Sequence, residues 1–283
     1  MAILLDGKAM AASLMEEMKQ RVQLLAGLNV TPGLAVILAG DDPASQTYVR
    51  NKGRASEELG IYSRTIVLPA DVSQDELKQQ IQNLNADKKI DGILVQLPLP
   101  GGLNEAEALA EIAPEKDVDG FHLINAGRLF SGQKGVVPCT PRGILYMLKK
   151  AGVPLCGKNA VVIGRSNIVG KPTAMLLLNE NCTVTICHSR TQNLSEFTKN
   201  ADILVVAVGK PRFITADMVK NGAAVIDVGI NRVDGKLIGD VDFDAVSEIA
   251  GYITPVPGGV GKMTIAMLMS NVLSIAEERA KKG

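Results

Sequence analysis

Short apolar runs alternate with helical patterns along most of this chain of 283 residues. In the first half, the strand patterns PGLAVILAG, YSRTIVLP and DGILVQLPLP are separated by two segments with helical periodicity. These segments open with helix-start signals, Asp42 followed by Pro43 and the capping-box pair Ser73 and Glu76. Strands joined through helices pair in parallel and are covered on both faces. The order β-α-β-α-β therefore predicts a parallel sheet between helices.

The alternation starts again after APEKDVDGFHLINAGRLFSGQKGVVPCTP, a connector punctuated by glycine and proline. Strand patterns then cover 160–164, 183–188, 201–208 and 223–229, and helical patterns cover 143–151, 170–180 and 191–199. The length suits two domains that each bury a core. We predict two α/β domains flanking a cleft, at 1–120 and 121–283, the second Rossmann-like with a mainly parallel sheet. A long amphipathic helix at about 262–281 is placed to return and pack on the first domain.

The charge balance gives no general case for a polyanionic partner. Lys plus Arg (30) equals Asp plus Glu (30), so nothing favours nucleic acid or an anionic membrane, although a local anion site remains open. No apolar run is long enough for a membrane span, and Asp6 and Lys8 interrupt the N-terminus before a signal-type region develops. We therefore expect a cytoplasmic protein that binds neither nucleic acid nor membrane.

The chain has four cysteines without C-x-x-C pairing and two histidines. A disulfide-stapled secreted domain is not indicated, and we expect no metal site. With so few histidines, a Ser-His-Asp or Cys-His mechanism has few ways to form. Proton transfer is then left to lysine, tyrosine or a carboxylate.

In AVVIGRSNIVGKP a strand pattern runs into a glycine turn that is similar to a dinucleotide-binding turn. Arg165 and Ser166 follow Gly164 where G-x-G-x-x-G has its second glycine, and the next glycine, Gly170, comes one residue late. The N–H groups of the turn and the start of the following helix favour a phosphate. Taken alone, the glycine pattern is equally typical of a simple strand-to-helix connector.

The next strand pattern, TVTICHSR, ends without the acidic residue that binds the ribose 2′-hydroxyl of NAD. It ends in Ser189 and Arg190, and a hydroxyl beside a guanidinium suits a 2′-phosphate. Together with Arg165 and Ser166 in the first turn, this pair favours NADP over NAD. An S-adenosylmethionine site would also usually require the acid. The alternative without a ligand is a surface arginine beside a capping serine.

A Tyr-Lys pair lies on one face of the helix predicted after Pro43. Ser45, Tyr48 and Lys52 are spaced three and then four residues apart. This face begins where a parallel strand ends, the edge at which open sheets bind ligands. A solvated helix face is the alternative, because lysines usually lie at surfaces.

Two further polar residues stand at the ends of apolar segments. Gln96 interrupts ILVQLPLP, and a buried amide needs a partner, which is either a loop carbonyl or the amine of Lys52. Asp119 in KDVDGF precedes a glycine. It is either a turn residue or a carboxylate that receives two parallel donors from an amino-pyrimidine ring.

Seven motifs then point to one family: YVRNKGRASEELGI, VQLPLP, PEKDVDGFHLINAGRL, PCTPRGI, VVIGRSNIVGKP, TVTICHSRT and TPVPGGVGKMT. Together they resemble the bifunctional methylenetetrahydrofolate dehydrogenase/methenyltetrahydrofolate cyclohydrolase family, called FolD, over nearly the whole chain. The resemblance implies a homodimeric enzyme of one-carbon metabolism that oxidises 5,10-methylenetetrahydrofolate with NADP and hydrolyses the methenyl product to 10-formyltetrahydrofolate in one shared site. The alternatives are a dehydrogenase with weak or absent cyclohydrolase activity and a folate- or NADP-binding regulator without turnover.

The resemblance also implies roles for particular residues. Lys52 matches the catalytic lysine, and Gln96 matches its tuning partner. Tyr48 would pack against the folate rings, and Asp119 would grip the pterin. The other folate-binding positions are Ser45, Leu97, Pro98, Pro257, Gly258 and Gly259. The cofactor positions are Gly164, Arg165, Ser166, Ser189 and Ile230. The end of the TVTICHSR segment adds Arg190 as a further residue for the 2′-phosphate.

One departure from the family pattern is in GGVGKMT, where Lys262 stands at a position that more often holds proline. It leaves open how the last helix begins, and it adds an N–H group and a positive charge. Cys139 in PCTP matches the family. Because no histidine motif accompanies it, we expect a packed thiol rather than a nucleophile.

Overall fold

The computed structural model describes residues 1–282 and divides into two compact units. The first unit contains Met1–Ala12, Leu129–Gln133 and Pro138–Thr264. The second contains Ser13–Arg128, Lys134–Val137 and the residues from Ile265 on. We call them the large-sheet unit and the small-sheet unit after the sheets that they contain. The domain limits predicted from the sequence stay a prediction.

The strands and helices are numbered along the chain. The strands are β1 (Ile3–Leu4), β2 (Gly33–Ala39), β3 (Tyr62–Leu68), β4 (Gly92–Val95), β5 (Asn159–Ile163), β6 (Thr183–Cys187), β7 (Ile203–Val206), β8 (Ala224–Asp227), β9 (Asn231–Val233), β10 (Lys236–Ile238) and β11 (Tyr252–Ile253). The helices are α1 (Gly7–Gly27), α2 (Pro43–Leu59), α3 (Gln74–Ala86), α4 (Glu105–Glu111), α5 (Leu123–Phe130), α6 (Cys139–Lys150), α7 (Gly170–Asn179), α8 (Leu194–Thr198), α9 (Phe243–Ser247) and α10 (Val260–Lys282).

The small-sheet unit is built on three parallel strands in the order β3-β2-β4. The central strand β2 is buried along its whole length, as its continuous apolar run predicts. Helix α2 begins at the predicted cap, where the Asp42 carboxylate accepts the N–H of Ser45 at 2.7 Å. Helix α3 has the predicted capping box between Ser73 and Glu76. Both helix starts are therefore confirmed.

Two ion pairs hold the C-terminal part of α10 within the small-sheet unit. Arg279 Nε donates to Asp91 at 2.6 Å, and the Asp91 side chain also accepts the N–H of Gly33 at 2.9 Å. Arg21 on α1 donates to both carboxylate oxygens of Glu277, at 2.8 and 2.9 Å. Because Asp91 is 2% exposed, loss of Arg279 would leave a buried charge short of its partner.

The large-sheet unit is built on six parallel strands in the order β1-β11-β8-β7-β5-β6. The chain runs from β5 outwards to β6 and then returns past β5 to β7, so the strand order reverses between β5 and β7. Ligands of open parallel sheets bind outside the carboxyl ends of the strands at such a reversal. The predicted α/β class with a mainly parallel, Rossmann-like sheet is confirmed.

Several elements of the fold were missed by the sequence patterns. The predicted connector contains helix α5, whose Leu123 and Phe130 are 80% and 75% exposed whereas Leu129 is buried, so its apolar residues do not follow one buried face. Strands β1 and β11 and the antiparallel pair β9-β10 have two or three residues each, too few to show a periodicity. Within residues 1–282, no helix is both long and apolar enough to cross a membrane.

Candidate functional site

Three residues separate β2 from helix α2, which carries Ser45, Tyr48 and Lys52 on one face. Ser45 is buried, Lys52 is half-buried, and Tyr48 is 47% exposed. The hydrogen bonds from Ser45 to Asp42 fix the first turn and lower the pKa of the Asp42 carboxyl. The helix face therefore begins at a fixed first turn close to the carboxyl end of β2.

Gln96 joins this helix face to the end of β4. Its backbone N–H donates to the carbonyl of Ile37 at 2.9 Å, and its Nε2 donates to the carbonyl of Leu97 at 2.6 Å. With the amide nitrogen bound there, the amide oxygen Oε1 accepts Nζ of Lys52 at 2.9 Å. Gln96 therefore makes both of the contacts that the sequence left as alternatives. Leu97 is joined to Pro98 by a cis peptide bond.

Asp119 lies in a turn beside β4. A parallel bridge pairs Ile93 of β4 with Asp117, and the turn closes when the N–H of Gly120 donates to the Asp117 carboxylate at 3.0 Å. Gly120 has a φ of +70°, which favours glycine. Asp119 itself is half-buried. The small-sheet unit thus brings Lys52, Gln96 and Asp119 to the carboxyl edge of its sheet.

Pro257, Gly258 and Gly259 belong to the large-sheet unit, between β11 and α10. Gly258 has a φ of +110°, and its carbonyl accepts the N–H of Lys8 at 3.0 Å. The N–H of Lys262 donates to the carbonyl of Gly259 at 3.1 Å, inside the first turn of α10. The N–H group gained at this usual proline position is therefore satisfied, and the helix begins normally.

The two turns predicted to bind phosphate are neighbours in the large-sheet unit. Strands β5 and β6 pair in parallel with Ile163 opposite Cys187, and the N–H of Gly164 donates to the carbonyl of Cys187 at 2.9 Å. Both turns therefore leave the sheet side by side at its carboxyl edge. The four side chains predicted for the phosphates are all exposed: Arg165, Ser166, Ser189 and Arg190. Ile230 follows β8 at the same edge and is 51% exposed.

Gly170, the glycine that comes one residue late in the first turn, is required by close packing. A Cβ atom on Gly170 would overlap the backbone of Gly164, so the start of α7 lies against the end of β5. The hydroxyl oxygen of Ser166 accepts the N–H groups of Val169 at 3.1 Å and of Gly170 at 3.3 Å. Ser166 therefore caps the helix start, and its hydroxyl still carries a hydrogen to donate.

The second turn is held by His188. Its N–H donates to the hydroxyl of Thr191 at 2.8 Å, and its Nδ1 accepts the N–H of Arg190 at 3.1 Å. Burial raises the pKa of the neighbouring Cys187 thiol, which disfavours the thiolate that a metal site would need. In residues 1–282, no group of three or more His, Cys, Asp and Glu side chains is arranged to hold a metal ion.

Two buried aspartates that the sequence patterns missed hold the loops after β7 and β8. Asp240 has no exposed surface, and its carboxylate accepts four hydrogen bonds of 2.7 to 2.9 Å, from the N–H groups of Val208, Gly209 and Lys210 and from Nδ2 of Asn231. The loop after β7 borders the strand reversal between β5 and β7. Asp240 therefore fixes backbone at the edge where a nucleotide would bind.

Asp227 is the second of these carboxylates. It accepts the N–H groups of Gly229, Asp240 and Val241, each at 2.9 Å. Burial raises its pKa to about 6, although these hydrogen bonds act in the opposite direction. An acidic residue inside the apolar run AVIDVG is the sequence signal that marks this position.

Comparison with known proteins identifies the two halves of the chain separately. The catalytic domain of the tetrahydrofolate dehydrogenase/cyclohydrolase family matches residues 5–119, and the NAD(P)-binding domain of that family matches residues 138–280. The chain belongs to the tetrahydrofolate dehydrogenase/cyclohydrolase family. The family predicted from the seven motifs is confirmed.

Relatives in the tetrahydrofolate dehydrogenase/cyclohydrolase family match over their full length. The bifunctional protein FolD of Halalkalibacterium halodurans is 59% identical over 277 residues, which are 98% of this chain and 99% of the relative. The solved structure of bifunctional FolD from Campylobacter jejuni has a TM-score of 0.97 and 50% identity, and covers 99% of this chain and 100% of its own. FolD of Trypanosoma brucei, solved with NADP cofactor and inhibitor, has a TM-score of 0.93 and 40% identity over 98% of each chain.

Proposed function

We propose that this chain oxidises 5,10-methylenetetrahydrofolate to the 5,10-methenyl cation with NADP and then hydrolyses the cation to 10-formyltetrahydrofolate. The match to both family domains, the bifunctional relatives and the NADP complex of the Trypanosoma brucei relative support both activities and the cofactor. The structural observation that carries the proposal is the 2.9 Å hydrogen bond from Lys52 Nζ to Gln96 Oε1. It holds an amine at the ligand-binding edge of a parallel sheet.

Two residues at that edge, Tyr48 and Asp119, have the main roles in folate recognition. Tyr48, whose ring is about half exposed, packs against the folate ring system. Asp119 accepts two parallel N–H donors from the amino-pyrimidine part of the pterin, an arrangement that charge-assisted bidentate bonding favours. The remaining folate positions of the family pattern are Ser45, Leu97, Pro98, Pro257, Gly258 and Gly259.

The turns of the large-sheet unit fit NADP. Gly164 has a φ of +127°, and a Cβ atom there would overlap the carbonyl of Ala207, so the first turn requires glycine at this position. No acid follows β6, and Ser189 and Arg190 supply donors for a 2′-phosphate instead. Arg165 and Ser166 would serve the first turn, and Ile230, exposed after β8, is the remaining cofactor position of the family pattern. When bound, NADP takes up the hydride that leaves the methylene carbon of the folate.

The oxidation step depends mainly on how the chain orients the folate. Nitrogen lone pairs beside the methylene carbon assist the loss of hydride, so no strong base is needed. The side chains of the folate edge therefore act mainly by orientation. Tyr48 and Asp119 hold the ring system from the face and from the pyrimidine end.

The hydrolysis needs a group that moves protons. Water loses a proton as it attacks the methenyl carbon, and a ring nitrogen gains one as its bond to that carbon breaks. Lys52 in its neutral form takes the proton of the attacking water and delivers it to the ring nitrogen. The remaining hydroxyl proton is released to solvent as the formyl C=O bond forms. Gln96 accepts a hydrogen bond from the Lys52 amine and fixes the position of that amine. Because an amide is uncharged, it does not lock the amine in its ammonium form as a carboxylate would.

A single assay separates this function from its alternatives. Purified protein is given methylenetetrahydrofolate and NADP, and NADPH formation is followed separately from the decay of methenyltetrahydrofolate. We expect both to proceed. NADPH formation with methenyl decay at the buffer rate would indicate a dehydrogenase without cyclohydrolase activity. Tight binding of both ligands without NADPH formation would indicate a regulator.

We also propose that the protein is a homodimer, which the resemblance to the family supports. Analytical ultracentrifugation tests it, and a mass of one chain at assay concentrations would contradict it. The cytoplasmic location expected from the sequence stays a prediction.

A further inference from the structure

A second aspartate, Asp117, accepts hydrogen bonds from the backbone of the turn that carries Asp119. Asp117 is 1% exposed, and its carboxylate accepts four hydrogen bonds of 2.9 to 3.3 Å, from the N–H groups of Gly120, Phe121 and His122 and from Nδ2 of Asn125. Asn125 has no exposed surface and also donates to the carbonyl of Pro114 at 2.8 Å. The backbone that follows Asp119 is therefore bound, residue by residue, to one buried carboxylate.

The backbone before Asp119 is also held. Asn271, on α10, donates from Nδ2 to the carbonyl of Val118 at 2.8 Å and to the carbonyl of Val137 at 3.1 Å. Asn271 is 3% exposed. The peptide groups on both sides of Asp119 thus have fixed partners that are buried side chains.

The turn has more hydrogen bonds than it needs in order to close. The N–H of Gly120 also lies 3.4 Å from the carbonyl of Asp117, which is a backbone closure of its own. Burying a carboxylate costs free energy that its hydrogen bonds must offset, so a neutral turn residue is the simpler way to build a loop. A carboxylate that gathers four donors instead gives a rigid backbone.

We propose that Asp117 and Asn271 are positioning residues for folate recognition, which fix the backbone of Asp119 so that both of its carboxylate oxygens meet the parallel donors of the pterin. The inference rests on the proposed role of Asp119. A bidentate contact requires its two oxygens to be placed within roughly 0.5 Å and 10–20°. A turn free to rotate would keep one of the two hydrogen bonds and lose the other.

The first test replaces Asp117 with asparagine. Both oxygens of Asp117 accept from N–H donors, so the new NH₂ group faces a donor in either orientation. We expect the KM for methylenetetrahydrofolate and the Kd for tetrahydrofolate to rise about three- to tenfold, the loss expected for about one hydrogen bond. The KM for NADP stays within about twofold of its unmodified value. A purely structural effect would lower the active fraction, and hence kcat, without moving either KM.

The second test asks whether Asp117 acts through Asp119. Asp119→Ala alone is expected to raise the Kd for tetrahydrofolate about ten- to a hundredfold, because it removes a charge-assisted pair. Adding Asp117→Asn to that variant then weakens binding by less than about twofold more, since the group that it positions is gone. Fully additive losses would overturn the positioning role.

Asp240→Asn is the matched control. Asp240 is also a buried carboxylate with four N–H donors, but it lies in the large-sheet unit and holds the loop after β7. We expect this variant to raise the KM for NADP and to leave the folate KM unchanged. Equal changes of both KM values in the Asp117 and Asp240 variants would mean that loss of a buried carboxylate acts through general loosening, and would overturn the inference.

If circular dichroism shows that Asp117→Asn is unfolded, the same cycle is run with Asn271→Ala, which leaves the Asp117 carboxylate and its four donors in place. The role of Asp119 and the positioning role of Asp117 and Asn271 are contradicted by different results. Unchanged tetrahydrofolate binding in Asp119→Ala would remove the proposed role of Asp119 and the inference with it. Weakened binding in Asp119→Ala, with normal binding in Asp117→Asn and in Asn271→Ala, would overturn the positioning inference alone.

Discussion

Lys52 Nζ lies 2.9 Å from Gln96 Oε1, and this hydrogen bond joins helix α2 to the end of strand β4 across 44 residues of sequence. One partner of the amine is an amide whose own nitrogen is bound to the carbonyl of Leu97 at 2.6 Å. The orientation of the amide is therefore fixed by the backbone. This contact holds the Lys52 amine in a defined position, as a group that gives and takes a proton requires.

Replacing Lys52 with methionine keeps much of the apolar stem and removes the titrating nitrogen. We expect methenyltetrahydrofolate hydrolysis to fall by about 10²- to 10⁴-fold, the usual contribution of a positioned proton-transfer group. NADPH formation loses a smaller fraction, because hydride transfer depends on orientation. Tetrahydrofolate and NADP still bind. The measurement follows methenyl decay separately from NADPH production.

Arg54→Met is the control for that variant. Arg54 is an exposed cation on the same helix, two residues beyond Lys52, and its replacement should leave both activities near their unmodified rates. If Lys52→Met hydrolyses the methenyl substrate near the unmodified rate while folate binding is intact, Lys52 is a solvated residue of the helix face and the proposed mechanism is wrong.

The parts of the fold that local signals determine were predictable. The cap at Asp42 and the capping box of Ser73 and Glu76 are set by residues three positions apart. The alternation of β2, α2, β3, α3 and β4 follows from apolar periodicity. The pairing of Lys52 with Gln96 was open to prediction because both residues follow the ends of parallel strands, which meet at one edge of a sheet.

The buried carboxylates were not predictable in the same way. Asp240 binds the N–H groups of residues 208–210, about thirty positions earlier in the chain, and no local pattern encodes that contact. Asp117 lies in the KDVDG segment beside Asp119, and a turn aspartate and a buried aspartate have the same sequence signature. Their hydrogen bonds depend on the tertiary packing that brings the loops together.

Cofactor preference is tested at Arg190. Replacing it with glutamine removes the guanidinium at the end of β6, where Ser189 and Arg190 are both exposed. We expect the KM for NADP to rise about tenfold or more and the KM for NAD to change little, because NAD lacks the 2′-phosphate. Steady-state kinetics with each cofactor decide it. Equal losses would show that Arg190 does not bind the 2′-phosphate. Faster turnover of NAD than of NADP by the unmodified protein would contradict the preference for NADP.

Chelation is expected to leave turnover unchanged. The chemistry proposed for Lys52 and Gln96 needs a proton carrier and an oriented folate, and no step of it uses a Lewis acid. Dialysis against EDTA, followed by both assays in metal-free buffer, provides the measurement. Activity that disappears on dialysis and returns with a divalent cation would contradict the mechanism.

Cys139→Ser is expected to keep most of both activities. Cys139 is 3% exposed at the first position of α6, so the thiol serves as a small packed group. A buried hydroxyl is less favourable than a thiol, and we expect a loss of about 1 kcal/mol in the free energy of unfolding. Urea unfolding and the two assays are run on the same preparation. Loss of hydrolysis in a folded variant would mean that the thiol takes part in the chemistry.

The pH dependence of stability follows from Asp227. Burial raises the pKa of this carboxyl from 3.8 to about 6 in the folded chain, so the folded state holds the proton more tightly than the unfolded state does. The resulting stabilisation is complete below about pH 4 and is lost as the pH rises through about 6. Its upper size is about 3 kcal/mol, from roughly two pKa units at 1.36 kcal/mol each. Asp227→Asn stays neutral throughout, so it isolates this contribution from those of the other carboxyls.

We therefore expect urea unfolding to show that the unmodified protein loses stability relative to Asp227→Asn between pH 4.5 and 7.5. Asp202→Asn is the control of opposite sign. The hydrogen bond from Lys220 lowers the pKa of Asp202 from its usual 3.8, so the stability that Asp202 contributes is lost only as the pH falls below about 4. Between pH 4.5 and 7.5 the stability difference for Asp202→Asn should stay flat. A flat difference for Asp227→Asn as well would show that Asp227 is ionised throughout this range and that its three backbone hydrogen bonds outweigh its burial.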